Sequence, residues 1–258
     1  MIESALTDGY ATLATVREND LCVLDPASAA LVDTPAWARW MAFTDEQRAV
    51  LRRASIGVLC ASGLLRPHPG TQVPQPESSM DAGAGVEPDL SEYDVAPELA
   101  TALLARQRPV FVVAGSASPP AADAFAPALY GLADESQQTL TVVLEQVMAK
   151  SFGRFGHEVR FMLLSPAKAA EVLISWLCVA PRRRWSPGQR DIRIIANPVS
   201  GTDVRSWTAK PVKNGWSVQA QRSTTGAGGD LKSTATVDDA QSRSRLADAL
   251  VEAMTGRA

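Results

Sequence analysis

An α+β fold is what this sequence predicts: two successive antiparallel sheet-plus-helix units, ββββα twice, after an N-terminal winged-helix-like segment. Three observations carry that expectation. Before Pro67 the apolar residues recur at helical spacing behind cap residues. After Pro109 they recur in short runs of alternating polarity with turn residues between them. Each group of four such runs is followed by one helical stretch, so the second half of the chain repeats a pattern of elements.

At the start, Tyr10–Val16 alternates in polarity and Leu21–Leu24 is a short apolar run. Glu18-Asn19-Asp20 lies between them and supplies turn chemistry, which predicts a β-hairpin. Asp33-Thr34-Pro35 places a capping residue before a proline, and Trp37, Trp40 and Met41 follow as one helical face. Thr44 opens the next helix with Gln47 three residues on, a capping box. Val50, Leu51, Ala54, Val58 and Leu59 form its apolar stripe, and Gly63 is a natural residue to end it. Residues 67–92 are crowded with proline, glycine, serine and acids, which reads as a solvated linker. Pro97 starts a short helix through Leu99, Leu103 and Leu104.

The first repeat places strands at Val110–Val113, Ala128–Ala133, Thr139–Val147 and Glu158–Leu164. Ser165-Pro166 then caps a helix with Ala169, Val172, Leu173, Trp176 and Leu177 inward. The second repeat places strands at Asp191–Ala196, Arg205–Val212, Trp216–Arg222 and Leu231–Val237. Asn214-Gly215 is its hairpin signal. Asp238 or Asp239 caps a last helix carrying Leu246, Ala249, Leu250 and Ala253. Connections this short predict antiparallel neighbours, with each helix covering one face of its sheet. The expected divisions are 1–66 (N-terminal hairpin and helices), 67–92 (linker), 93–180 (first half) and 181–258 (second half).

Composition narrows the function classes. A net charge of −3 gives no general attraction to nucleic acid or anionic lipid. Cys22, Cys60 and Cys178 are odd in number, far apart and set in apolar runs, which suits buried thiols in a reducing compartment. Met1–Tyr10 has acids and no basic-then-apolar leader pattern. The longest apolar stretch, Ala167–Ala180, is broken by Lys168, Glu171 and Ser175. A cytoplasmic protein without membrane insertion is expected.

No motif for catalysis or metal binding emerges. His68 lies between two prolines in the linker, where nothing would hold it in a catalytic geometry, and His157 stands beside Glu158 after a glycine-containing turn; neither is assigned as a general base. Two separated histidines and scattered cysteines do not make a zinc site. The loop Gly226-Ala227-Gly228-Gly229 before Lys232-Ser233-Thr234 departs from a phosphate loop, because Leu231 stands where glycine must precede the lysine. Arg182-Arg183-Arg184-Trp185 could meet phosphate and a base, but a solvated inter-repeat loop is the preferred reading, because the net charge gives no wider field to support such binding. There is no G-x-S-x-G elbow, and Asp134-Glu135 reads as a turn. Of the six tryptophans, Trp207 and Trp216 flank the hairpin and are the candidate partner-binding anchors. No catalytic, cofactor-binding or metal-binding residue is assigned, and no cofactor is implied.

The stretches FTDEQRAVLRRASIGVLCASGLL and YDVAPELATALLARQRPVFVV resemble the EspG-type chaperones of mycobacterial type VII secretion. They match in a helix ending in a Gly-Leu pair, followed by a second helix and the first strand of a sheet. LKSTATVDDAQSRSRLADALVEAM is similar to the strand and helix that close each half of that family's fold. The Ala-, Arg- and Pro-rich usage fits a high-GC actinobacterial gene. The resemblance implies a cytosolic, non-enzymatic adaptor that holds a helical secretion substrate, a PE–PPE-like heterodimer, by its apolar tip.

Two other readings compete. One is an enzyme or small-molecule binder with its site in a cleft between the two halves. The other is a winged-helix regulator offering Arg48, Arg52 and Arg53 to DNA phosphates. A chaperone should expose an apolar patch, an enzyme a cleft with perturbed titratable groups, and a regulator a wide basic surface.

Overall fold

The structure is a computed structural model that describes residues 9–32, 34–74, 88–118, 127–133, 140–153, 156–179, 191–198, 203–212, 215–224, 231–237 and 240–255. It is an α+β fold with antiparallel strand pairing throughout the registers set out below. Contacts divide it into a larger unit (Met1–Thr12, Arg108–Val147, Phe161–Ala258) and a smaller one (Leu13–Gln107, Met148–Arg160).

The larger unit carries the repeat. Its elements run β4 (Phe111–Ser118), β5 (Ala128–Ala133), β6 (Leu140–Ser151), β7 (His157–Leu164) and α6 (Pro166–Val179), then β8 (Asp191–Pro198), β9 (Asp203–Val212), β10 (Gly215–Thr224), β11 (Leu231–Val237) and α7 (Ala240–Thr255). That is four strands and a helix, twice, as the alternation predicts.

The two sheets expected from the sequence are one. With β1 (Tyr10–Arg17) at one end, the strand order is β1-β7-β6-β5-β4-β8-β9-β10-β11. The first strands of the two repeats form the seam, an antiparallel ladder from Phe111 opposite Pro198 to Ser118 opposite Asp191. Strand order is therefore symmetric about that seam, each repeat meandering outward from it. Each of these strands has one edge unpaired within its own repeat, and joining its counterpart gives it a second ladder and removes two edges at once.

The core lies between this sheet and the two helices. Phe111, Val113, Leu129, Val142 and Leu144 meet Ala169, Ala170 and Leu173 of α6, and Trp207 and Val218 meet Leu246, Leu250 and Met254 of α7. Helices α6 and α7 pack on each other. Gly131 is required here because the Phe111 ring occupies the space a Cβ would take. In β6 the predicted alternation holds for Val142 and Leu144, but Val143 and Glu145 on the other side are also buried. Glu145 Oε2 accepts a 2.9 Å hydrogen bond from the Tyr130 hydroxyl, a diagonal cross-strand contact inside the sheet.

The smaller unit is helical. After β1 come α1 (Glu18–Leu24), α2 (Pro26–Val32), α3 (Thr34–Met41) and α4 (Asp45–Ala61), then the β2 (Leu65–Pro67) and β3 (Tyr93–Val95) pair and α5 (Pro97–Gln107). The expected N-terminal hairpin is absent: Leu21–Leu24 belongs to α1. Glu18-Asn19-Asp20 makes the first turn of that helix because the Asp20 carboxylate accepts the Arg17 N–H at 2.8 Å and pairs with its guanidinium at 2.7 Å. On α3, Ala36 and Trp40 are buried whereas Met41 is 53% exposed, so the apolar face is narrower than expected.

Helix α4 has the predicted caps. Thr44 Oγ1 accepts from Gln47 N, and Gln47 Oε1 accepts from Thr44 N. Gly63 sits at φ +74°, and the N–H groups of Gly63 and Leu64 bond the carbonyls of Cys60 and Leu59, a Schellman ending. Residues 67–92 are not a connection between bodies. Pro67 pairs with Tyr93 and His68 N donates to Glu92 O at 2.9 Å, so both ends of the segment close one β2–β3 hairpin. Residues 75–87 lie outside the described residues. Helix α5 likewise belongs with the N-terminal helices and not with the first repeat. Leu99, Ala102 and Ala105 are buried there, and Gln107 Nε2 donates to Asp25 Oδ1 at 3.3 Å.

Candidate functional site

The candidate site is an open groove of about 480 Å³ in the larger unit, along α6 where it leaves the sheet. Leu144 of β6 and Met162 and Leu164 of β7 form its floor, and Val172 and Trp176 of α6 form one wall. The groove follows from spacing. Residues 169 and 173 face the core, whereas 172 and 176 lie about a sixth of a turn round the helix and line the groove. They are only partly buried because nothing among the described residues fills the space beyond them.

Its rim is polar. Tyr10 at the start of β1 is 50% exposed, and Gln146, Lys168 and Ser175 complete the margin. Lys168 Nζ bonds Glu171 Oε2 at 2.7 Å, and this carboxylate raises the ammonium above the ordinary lysine range. Lys168 is thus a fixed positive charge at neutral pH and not an amine nucleophile. Among the described lining residues there is no carboxylate, histidine or cysteine to act as base or ligand. The arrangement can bury apolar side chains and orient a polar or anionic group at the rim.

Several sequence candidates fall elsewhere. Trp207 is 4% exposed, packed in the core of the larger unit, and is corrected from a partner-binding anchor to a core residue. Its strand alternates toward the helices at that position, so the indole closes on α7 instead of reaching solvent. Trp216 stands in β10 opposite Pro211 and Val237; its side chain lies outside the described residues. The hairpin itself is present, with Val212 paired to Gly215, and Asn214 lies outside the described residues.

His68 Nε2 lies 3.1 Å from Asp94 Oδ1 on the exposed β2–β3 pair, and His157 begins β7. Cys22 is buried, and burial pushes the Cys60 thiol up, away from reactive thiolate character. No group of three metal-ligating side chains occurs among the described residues. Arg182–Trp185, Asp134-Glu135 and the glycines 226–229 lie outside them, although Leu231–Val237 is a strand.

The seam between the repeats is a continuous antiparallel ladder from Phe111 opposite Pro198 to Ser118 opposite Asp191. Arg48, offered to DNA, instead donates to Phe43 O at 2.7 Å and pairs with Asp45 at its own helix start.

The groove was not singled out from the sequence. Val172 and Trp176 read as inward-facing, and periodicity marks an apolar face without saying how much of it is covered. No described helix is long and apolar enough to cross a membrane. No protein-family model, curated protein or solved structure matches the chain.

Proposed function

We propose that this chain is a protein-binding adaptor, a cytosolic chaperone that holds a helical secretion substrate of the PE–PPE kind before export. The groove along α6 is the observation that supports this reading. An amphipathic helix presents apolar side chains at three- and four-residue intervals, and a shallow apolar trough with a polar rim suits such a face. Met162, Val172 and Trp176 supply adaptable apolar contact, and Lys168 offers an electrostatic handle for an acidic or carbonyl-bearing helix end. Binding of this type needs no catalytic group.

The test is affinity capture from a lysate of the source organism, read by mass spectrometry, with the wild type and Val172→Glu side by side. Recovery of one helical secreted pair by the wild type, lost with Val172→Glu, supports the proposal. Absence of any stoichiometric partner, or a partner held equally by both proteins, overturns it. Small-molecule screening of the same groove then becomes the next step.

A further inference from the structure

The two repeats do not end alike. In the first, the outer side of the fourth strand, β7, is taken by β1. Gly9 O accepts from Ser165 N, which sets the start of β1 beside the end of β7, an antiparallel neighbour. In the second, the fourth strand, β11, ends the sheet. It is bonded to β10 along its whole length, from Trp216 opposite Val237 to Arg222 opposite Leu231. No strand among the described residues lies on its outer side. The repeat symmetry thus marks one vacant strand position, the one β1 fills in the other half.

From this edge we infer that the chain forms a two-fold dimer through antiparallel β11–β11 pairing. Three features of the strand and the sheet favour a second copy as the occupant. The strand Leu231-Lys232-Ser233-Thr234-Ala235-Thr236-Val237 has no proline or glycine and a single charge, so it lacks most of the devices that protect an edge. It is also self-complementary. Centred on Thr234, the pairing sets Lys232 of one copy opposite Thr236 of the other and Leu231 opposite Val237, with no like charges facing. Finally, the fold already joins equivalent strands this way: β4 and β8, the first strands of the two repeats, pair antiparallel over their full length. The dimer extends the same sheet at its other end. The inference does not depend on the adaptor reading, since β11 forms no part of the groove.

Sedimentation velocity over a concentration series tests it, on wild type, Thr234→Lys, Thr234→Glu and Thr12→Lys. Thr12 is an exposed position on β1, the opposite edge of the sheet, and serves as the control. The expected result is a wild-type and Thr12→Lys monomer–dimer equilibrium, a loss of dimer in each position-234 variant alone, and its return when those two are mixed. Circular dichroism and thermal melting check that the variants fold; if they do not, hydrogen exchange of residues 231–237 in the wild type decides, with protection rising with concentration expected. A wild type that stays monomeric, a dimer that survives Thr234→Lys, exchange at 231–237 independent of concentration, or a dimer lost only in Thr12→Lys overturns the inference.

Discussion

Glu18 Oε2 accepts a hydrogen bond from the backbone N–H of His157 at 2.6 Å, across 139 residues of sequence. The same oxygen accepts from Arg39 Nη2 at 2.6 Å. One carboxylate at the start of α1 therefore holds both the first residue of β7 and helix α3. Gly156 makes room for it: its φ is +80°, and a Cβ there would run into the Glu18 side chain.

Glu18→Ala removes two charge-assisted bonds, and a loss of roughly 2–3 kcal/mol in folding stability is expected. Gly156→Ala combines a strained backbone with a clash and should cost about as much. Urea titration followed by circular dichroism measures both, and a change under half a kilocalorie in either would contradict the contact.

Asp25 and Arg106 form a buried pair in the smaller unit, Arg106 Nε lying 3.8 Å from Asp25 Oδ2. Asp25→Ala removes the carboxylate that faces the buried Arg106 guanidinium and accepts from Gln107, so a loss of about 3 kcal/mol is expected. Asp25→Leu with Arg106→Met removes both charges and should lose much less than the sum of the single changes. A double-mutant cycle by chemical denaturation gives the coupling directly.

Trp207→Ala opens a large cavity beneath α7 and should destabilise the protein by about 3–5 kcal/mol. Trp207→Phe should keep most of that stability. A partner-binding defect in a Trp207→Phe protein of normal stability would return Trp207 to the surface role its hairpin position suggested.

Asp89 caps the short helical turn Leu90–Glu92, and the Ser91 backbone N–H, at 2.9 Å, holds its carboxyl below the ordinary aspartate range, with the Ser91 side chain adding to the effect. A folded-state pKa below the unfolded one means that the unfolded chain binds the proton first. The contribution is therefore present above the usual value of about 3.9 and is lost as pH falls through the folded value. Stability measured against pH should show a shallower acid decline below about pH 4 in Asp89→Asn. An unchanged slope would remove Asp89 from the account.

The sequence by itself determined the order of elements. Strand alternation at 216–222 is a period-two pattern of the pleat, and the Thr44–Gln47 box and the Gly63 ending are caps whose hydrogen bonds are local to the segment. Hence ββββα appears twice, and α4 begins and ends where its caps stand. Where local chemistry admitted two outcomes, the sequence misled. Glu18-Asn19-Asp20 suits a turn or a helix start; the Asp20–Arg17 cap begins the helix, and Glu18 then holds His157 and Arg39, contacts far away in the chain.

Only the tertiary structure decided that the two sheets are one. Antiparallel pairing of β4 with β8 depends on which unpaired edges meet, and edges carry no side-chain period to read. It likewise decided that Trp207 is core and that Val172 and Trp176 line a groove. An apolar stripe records that a face avoids water; how much of that face a neighbour covers is set by the packing of α6 and α7 on the shared sheet.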